Sequence, residues 1–431
     1  MDYPMMWNLV KKLGRWTLEV AVLSVVLFLV GGAVLAKVQY SFSLGNKLAG
    51  ECDAGSEADG LNSGMNYYKN GFLINAGLPD RGHPHDKLFL DPNDTPYFGS
   101  VYTHYPPGPN WLIGLSIYTF GPTKVPWYRL PPIFFSGFCL IASYLLLRQS
   151  LGALLAGGIL VMLMQLPMTT EMMHGIFFHS YALVLLLLQM SFVYTRLKLD
   201  VRLSKKTLLV VFLCSFVQGW LSFDYAFVAS LYPLALVSGW RTAASRTSMV
   251  LATLCAGLGF TTAHTMHLGQ LWIYYGTFER AYTELLSAGA YRMNGNPAIG
   301  PELTRWDVLK IYVTELLPSY TQAVWFSWIL PLSAAVIAFG GALLSRARFA
   351  ESEERGWRTA SLVALCAAFL VSIAWISLMK NHAAEGGHRM FLPRHFILFL
   401  FACLLVMGDT LDRLFALCKA ALSKGHDSPI S

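Results

Sequence analysis

Charge is scarce in this chain. Of 431 residues, 13% are Asp, Glu, Lys or Arg, whereas an average soluble domain carries about 25%. That shortfall excludes an ordinary soluble surface, and with 55% hydrophobic and 14% aromatic residues it points to a polytopic membrane protein. Cysteine is also sparse. Six of the seven, Cys139, Cys214, Cys255, Cys366, Cys403 and Cys418, lie in or beside apolar runs, and only Cys52 falls in a clearly polar loop. Neither a disulfide framework nor a CxxC zinc pattern can be built from them. The chain has no HExxH or similarly tight ligand spacing, no repeat at a fixed period and no low-complexity segment. No small-residue cleavage site follows the first apolar run at 16–36, so that run is read as a retained helix and not a signal peptide.

Long apolar runs are what the chain has instead. They predict helices near 16–36, 127–147, 151–167, 179–195, 207–221, 225–239, 249–267, 323–344, 360–379 and 396–409. The expected fold is therefore all-α: a single transmembrane domain over 1–431 with about ten transmembrane helices. Lysine and arginine near helix ends favour the cytoplasm. With the N-terminus inside, Lys11, Lys12, Arg15, Arg148, the cluster Arg196 to Lys206, Arg241, Arg246, Arg346 to Arg358, Arg413, Lys419 and Lys424 all face inward. The net charge of +7 is then mostly topology and not a nucleic-acid footprint. Both termini are expected in the cytoplasm, as in a bacterial inner-membrane protein.

The stretch "VYTHYPPGPNW" (101–111) puts rigid polar backbone into this apolar chain. The run 110–120 that follows is too short to span a bilayer, and a crossing there would turn the cluster at 196–206 outward. So "PPGPNWLIGLSIYTF" is expected as an interfacial helix. Residues 38–126 then form a large first outer loop with amphipathic helices, and 268–322 a second.

Polar chemistry collects on that outer face. Glu57 and Asp59 precede "GLNSGMNYYKNGF", a short amphipathic segment ended by Asn70-Gly71. A partly desolvated acid there suits a general base; an N-cap for the helix suits it as well. Ten of eleven histidines fall on the outer side, His83, His85, His104, His174, His179, His264, His267, His382, His388 and His395. The loop "KNHAAEGGHRMFLPRH" breaks the charge rule by placing Lys380, Arg389 and Arg394 outside with His382, His388 and His395. Guanidinium groups pair bidentately with phosphate, so this loop is an expected anion site, or one that touches lipid headgroups. "MTTEMMHGIFFHS" adds Glu171, His174 and His179, and "WLSFDYAF" adds Asp224. Charge so close to hydrocarbon is costly unless used or paired. Trp272, Tyr274, Tyr275, Tyr282 and Tyr291 either stack on sugar or anchor the interface. His104 and Tyr105 either face the site, near a lipid phosphate or sugar, or only anchor the loop.

"EADGLNSGMNYYKNGF", "YTHYPPGPNWLIGLSIYTFG" and "VPWYRLPPIFFSGFCLIASYLLLRQ" resemble the GT-C glycosyltransferases, membrane enzymes related to protein O-mannosyltransferases and aminoarabinose transferases. "RMFLPRHF" looks like that family's late segment. The resemblance is carried by residues 16–195 and thereafter by topology. It implies inverting transfer of a sugar from a polyprenyl-phosphate carrier to a glycan, lipid or protein acceptor on the periplasmic face. Asp59 is the first choice for the acid and Glu57 the second, with basic residues on the lipid phosphate. It leaves open a divalent metal, for which no ligand set is assigned. The family often keeps an aspartate in the second outer loop, where this chain has Glu171 with His174. Only a short tail follows the tenth helix, so acceptor recognition is expected from the loops. Two other classes fit membrane composition: a lipid or anion transporter or flippase, which would place charge near the midplane and show inverted repeats, and a non-catalytic scaffold.

Overall fold

A computed structural model describes residues 3–49, 54–82, 101–166, 169, 172–176, 178–199, 202–222, 230–232, 243–294, 304–311, 329–348, 360–380 and 392–426. Among the described residues the chain is helical, with one isolated antiparallel bridge between Asp80 and Val101. The helices are α1 (Tyr3–Leu44), α2 (Ala54–Asn70), α3 (Gly108–Phe120), α4 (Val125–Tyr128), α5 (Leu130–Leu151), α6 (Ala153–Met164), α7 (Phe178–Leu199), α8 (Lys205–Leu221), α9 (Ala243–Tyr275), α10 (Phe278–Asn294), α11 (Arg305–Ile311), α12 (Ile329–Arg348), α13 (Ala360–Leu378) and α14 (Leu392–His426). Short 3-10 turns cover Ile74–Gly77 and Met172–His174.

Among the described residues four helical stretches are long and apolar enough to cross a membrane: Lys12–Leu44, Val125–Leu151, Ser180–Leu199 and Arg246–Tyr275. Ala153–Met164, Ile329–Leu343 and Leu362–Leu378 are shorter apolar helices. This is the all-α, multi-pass membrane architecture the composition demands. Most expected spans fall on helices. Several are longer than their apolar runs: α1 extends beyond 16–36 at both ends, α9 continues past 267 to Tyr275, and α14 runs well beyond 396–409. The expected span 225–239 lies outside the described residues except for Ser230–Tyr232. The run 110–120 is a helix as expected, and it starts at Gly108.

Local chemistry sets the helix ends. Ser204 caps α8, its Oγ accepting from Thr207 N at 3.2 Å, which satisfies one orphan amide. Gly71 ends α2 with φ +88° while its N–H returns to Tyr67 O at 2.8 Å; only glycine takes that conformation at no steric cost. Pro107 and Pro109 start α3, where a missing N–H costs nothing.

One core runs through the bundle. Val26 and Val30 of α1, Tyr144 and Leu147 of α5, Leu160 of α6, Leu186 and Met190 of α7, and Phe401 and Leu404 of α14 are buried in it. A smaller core joins Leu61 and Met65 of α2 to Ile113 and Ile117 of α3. There Gly60 and Gly64 let the helices meet. A Cβ at either would stand 2.8 or 2.7 Å from the Ile113 side chain. By contrast α1 leaves Leu27, Phe28 and Leu35 exposed, a surface that suits lipid.

The end of α1, the starts of α5 and α7, and the ends of α8 and α9 gather around α2 and α3 at one end of the bundle. Trp111 of α3 meets Trp220 of α8 edge to face at 5.7 Å. Far from them along the same helices, Lys198 of α7 pairs with Asp409 at 3.1 Å and Asp412 at 2.8 Å on α14. Tyr194 Oη donates to Asp409 Oδ1 at 3.0 Å, and Arg413 approaches the other carboxylate oxygen at 2.9 Å.

The contact between α3 and α8 is testable at Gly108, where a Cβ would lie 2.5 Å from Trp220 O. Backbone cannot yield as a side-chain tip can. Gly108→Ala is expected to cost about 1–3 kcal/mol of stability, read as a lowered melting temperature in detergent. Gly158→Ala, with nothing within 4 Å, is expected to leave it unchanged or raised.

Candidate functional site

Glu57 and Asp59 do not stand before their helix, as the sequence suggests. α2 begins at Ala54, so both are inside it and neither is its N-cap. Two residues along an α-helix turn the side chain by about 200°, so the two acids point to opposite sides and do different work.

Glu57 points to the bundle. Arg129, fully buried between α4 and α5, gives Glu57 Oε1 its Nε at 3.0 Å and its Nη2 at 2.9 Å. The same guanidinium donates to Gly45 O at 3.3 Å and Lys47 O at 2.6 Å, and Ala49 N donates to the other Glu57 oxygen. An arginine at the mouth of an apolar helix must be paired, and here it staples α2, the start of α5 and the turn after α1. Glu57 also lies in the first turn of α2, where the helix dipole favours an acid.

Asp59 points the other way. Its Oδ2 lies 2.7 Å from Arg81 Nη1, and the Arg81 guanidinium lies 3.3 Å over the ring of Tyr102. Tyr102 stacks on Tyr105 at 5.7 Å and leans on His104 at 5.4 Å. Asn66, about two turns beyond Asp59 on the same face of α2, is buried and donates to Asp80 O at 2.7 Å. Burial raises the Asp80 carboxyl above its usual pKa, with the Gly82 N–H opposing. The 3-10 turn before it is clamped through its carbonyls: Tyr67 Oη and Trp111 Nε1 donate to Gly77 O at 2.7 and 2.9 Å, and Gln270 Nε2 donates to Ala76 O at 3.1 Å.

Residues 101–107 form a strap over this floor. Tyr102 N donates to Pro79 O at 2.8 Å. Thr103 Oγ1 donates to Glu284 Oε1 of α10 at 2.6 Å, and His104 Nε2 lies 3.1 Å from the same oxygen. His267 of α9, fully buried, donates Nε2–H to Thr103 O at 3.0 Å.

His174 sits beside the Arg129 staple, its ring edge-on to Tyr40 at 5.0 Å. Burial first, then the charges of Lys37 and Arg129, lower its pKa to about 3. It is therefore neutral at physiological pH, and its buried Nδ1 has no hydrogen-bond partner among the described residues.

Of the other expected site residues, Glu171, His382, His388 and Arg389 lie outside the described residues, as do His83, His85 and Asp224. The side chains of His179, on α7, and Arg394, on α14, are likewise not described. Lys380 follows α13. The structure thus brings Asp59, His104 and Tyr105 together and sets Glu57 and His174 at a neighbouring staple. Sequence reasoning gave no role to Arg81, Tyr102, Arg129 or Glu284. Arg129 had a visible signal, a charge within "VPWYRLPPIFF"; the others had none beyond residue type.

Among the described residues no three or more of His, Cys, Asp and Glu group closely enough to hold a metal ion, and a guanidinium already faces Asp59.

No protein-family model matches this chain, and no curated protein matches it. Solved structures of the Archaeoglobus fulgidus oligosaccharyltransferase show a distant likeness. The apo form is 14% identical over 93% of this chain and 53% of that chain, with a TM-score of 0.38. The complex with Zn and sulfate is 16% identical over 90% and 51%, at 0.41. The complex with an inhibitory peptide and a dolichol-phosphate is 14% identical over 94% and 52%, at 0.37. The chain spans about half the length of these proteins. At such scores the likeness carries no statement about activity or ligands.

His174 makes stability depend on pH. Its pKa in the fold, about 3, lies below the ordinary 6.5. Between those values the unfolded chain binds the extra proton, so stability is complete above about pH 6.5 and falls as pH drops toward 3. At pH 5 the loss is expected to be about 2 kcal/mol, and His174→Asn is expected to flatten that part of the melting-temperature profile. Glu57→Gln, which leaves Arg129 buried without its counter-charge, is expected to cost about 3–5 kcal/mol at neutral pH, measured by the same melts.

Proposed function

We propose that this chain is a GT-C-type glycosyltransferase that moves a sugar from a polyprenyl-phosphate carrier to an acceptor at the membrane surface. The observation that carries this reading is the Asp59–Arg81–Tyr102 constellation. It is a nearly buried carboxylate on a packed helix, paired with a guanidinium that lies on an aromatic ring, beneath the "THYPPGP" strap. Such a pocket offers an acid–base group and a cation in a site largely closed to water.

In the proposed step the acceptor oxygen attacks the anomeric carbon from the face opposite the phosphate. The new glycosidic bond forms as the bond from carbon to phosphate oxygen breaks, and the phosphate departs with the electron pair. Asp59 takes the acceptor's proton. Arg81, next to that carboxylate, balances charge, and Lys380, Arg389 and Arg394 are assigned to the lipid phosphate. His104 and Tyr105 are assigned to the sugar or phosphate. Glu57 belongs in this reading to the Arg129 staple and not to the chemistry. In this reading the chain sits in a bacterial inner membrane with the site on the periplasmic side; the charge bias of the loops supports the orientation.

The test is transfer by purified protein in nanodiscs with a panel of polyprenyl-phosphate sugars, followed as released polyprenyl phosphate by mass spectrometry. Asp59→Asn is expected to lose about 10²- to 10⁴-fold in turnover with helical content retained. Wild-type turnover in that variant would remove Asp59 from the mechanism, and flipping or uptake without any covalent product would favour a transporter.

A further inference from the structure

The strap is held from outside by groups that the proposed chemistry does not use. Glu284 stands on α10, whose small residues Ala281 and Ala288 are buried and bring the helix close to its neighbours. Ala281 packs with Leu78 and with Leu271 of α9. That packing sets Glu284 facing the strap, where one carboxylate oxygen takes both the Thr103 hydroxyl and His104 Nε2. His267 closes the same turn from α9 through the Thr103 carbonyl. Residue 103 is thus fixed at its side chain and its backbone by two different helices.

The next residue back is Tyr102, the ring on which Arg81 lies. A guanidinium 3.3 Å from a ring centroid moves with the ring, because stacking is lost over small displacements. Arg81 is in turn the partner of Asp59 at 2.7 Å. An unbroken series of contacts therefore runs from Glu284 through Thr103 and Tyr102 to Arg81 and Asp59. It crosses from the end of α9 and from α10, at the expected second outer loop 268–322, to α2 in the expected first one.

We propose that Glu284 is a positioning residue: through Thr103 and His104 it sets the strap, and through Tyr102 it sets Arg81 against Asp59. Glu284 touches neither Asp59 nor Arg81, so it acts through the strap. His267 supports it by holding the Thr103 carbonyl. The proposal rests on the transfer reaction above, and it makes the second outer segment part of the catalytic geometry.

Two measurements test it on the full chain in nanodiscs. In the first, hydrogen exchange by mass spectrometry compares wild type with Glu284→Ala. Faster exchange is expected in 101–105 and 78–82, with α3 and the Arg129 staple unchanged. No change at 101–105 overturns the latch, and this readout stands even if no donor is turned over. In the second, sugar transfer is measured for Glu284→Ala, Glu284→Gln, Thr103→Val and the Glu284→Ala/Thr103→Val pair. A misplacement of about 1 Å costs roughly 10²-fold, so Glu284→Ala is expected to lose about that much in kcat with KM changed less. Glu284→Gln, which keeps an acceptor for the Thr103 hydroxyl, is expected to recover most of the rate. The double variant is expected to be no slower than the worse single one, since both cut the same link. A loosened strap with unchanged kcat, or losses that multiply in the pair, overturns the positioning role. Absence of transfer in wild type defeats the proposed function, and the exchange measurement then decides the latch alone.

Discussion

Everything around the candidate site depends on one buried ion pair, Arg129 with Glu57. A guanidinium withdrawn from water at the mouth of an apolar helix is tolerable only with a counter-charge and with its remaining donors satisfied. Glu57, Gly45 O and Lys47 O meet that requirement together, and they come from two stretches of chain, both distant in sequence from the arginine itself. Satisfying one arginine therefore fixes the turn after α1, the first turn of α2 and the entry to α5 relative to one another. Tyr128, the residue before it, adds a hydrogen bond to Gly121 O, and Asn46 accepts from Val125 N at 3.1 Å. The buried pair earns its place through registration as much as through stability.

Once α2 is held there, helical geometry decides the rest. With Glu57 turned toward Arg129, Asp59 must face away from the bundle side, and Asn66 lies almost in line with Asp59 further along. Leu61 and Met65 take the side toward α3. One helix of modest length thus carries a structural face, an apolar face and a polar face over which the strap lies. The tight approach at Gly60 and Gly64 makes this possible, because bulkier residues would push α2 away from α3 and with it the floor that Asp80 and Arg81 build on.

Those same glycines explain where sequence reading failed. The amphipathic segment expected from the sequence begins at Gly60, after Asp59; in the fold the helix begins at Ala54, and Gly60 and Gly64 are packing residues inside it. The end at Asn70-Gly71 was legible because a positive-φ glycine is a local requirement. The spanning helices were legible for an equally local reason, since unbroken apolar runs need no partner to be recognised. The pairings were not. Arg129 and Glu57 are separated by 72 positions, and Thr103 and Glu284 by 181, and residue type alone does not choose among the available acids. His104 and Tyr105 stand out in the sequence as part of one unusual stretch, whereas Tyr102, whose ring carries Arg81, has no role there. The basic loop from Lys380 to His395 stays an expectation, because most of it lies outside the described residues.

The prolines of the strap complete this logic. Pro106, Pro107 and Pro109 offer no N–H, so the chain can turn from an extended stretch into α3 against apolar neighbours without orphan donors. Gly108 between them admits the Trp220 backbone. What a proline-rich segment lacks is the means to hold itself in place, since it forms few backbone hydrogen bonds of its own. The fixing must then come from side chains on other elements. That is where the structure puts Trp111, His267 and Glu284: each reaches the strap or its footing from a different helix. A rigid segment held by three separate elements can keep an aromatic ring under Arg81 only while those elements keep their spacing. In this fold the geometry at Asp59 is therefore a property of the α2, α3, α9 and α10 assembly and not of the loop that carries the conspicuous sequence.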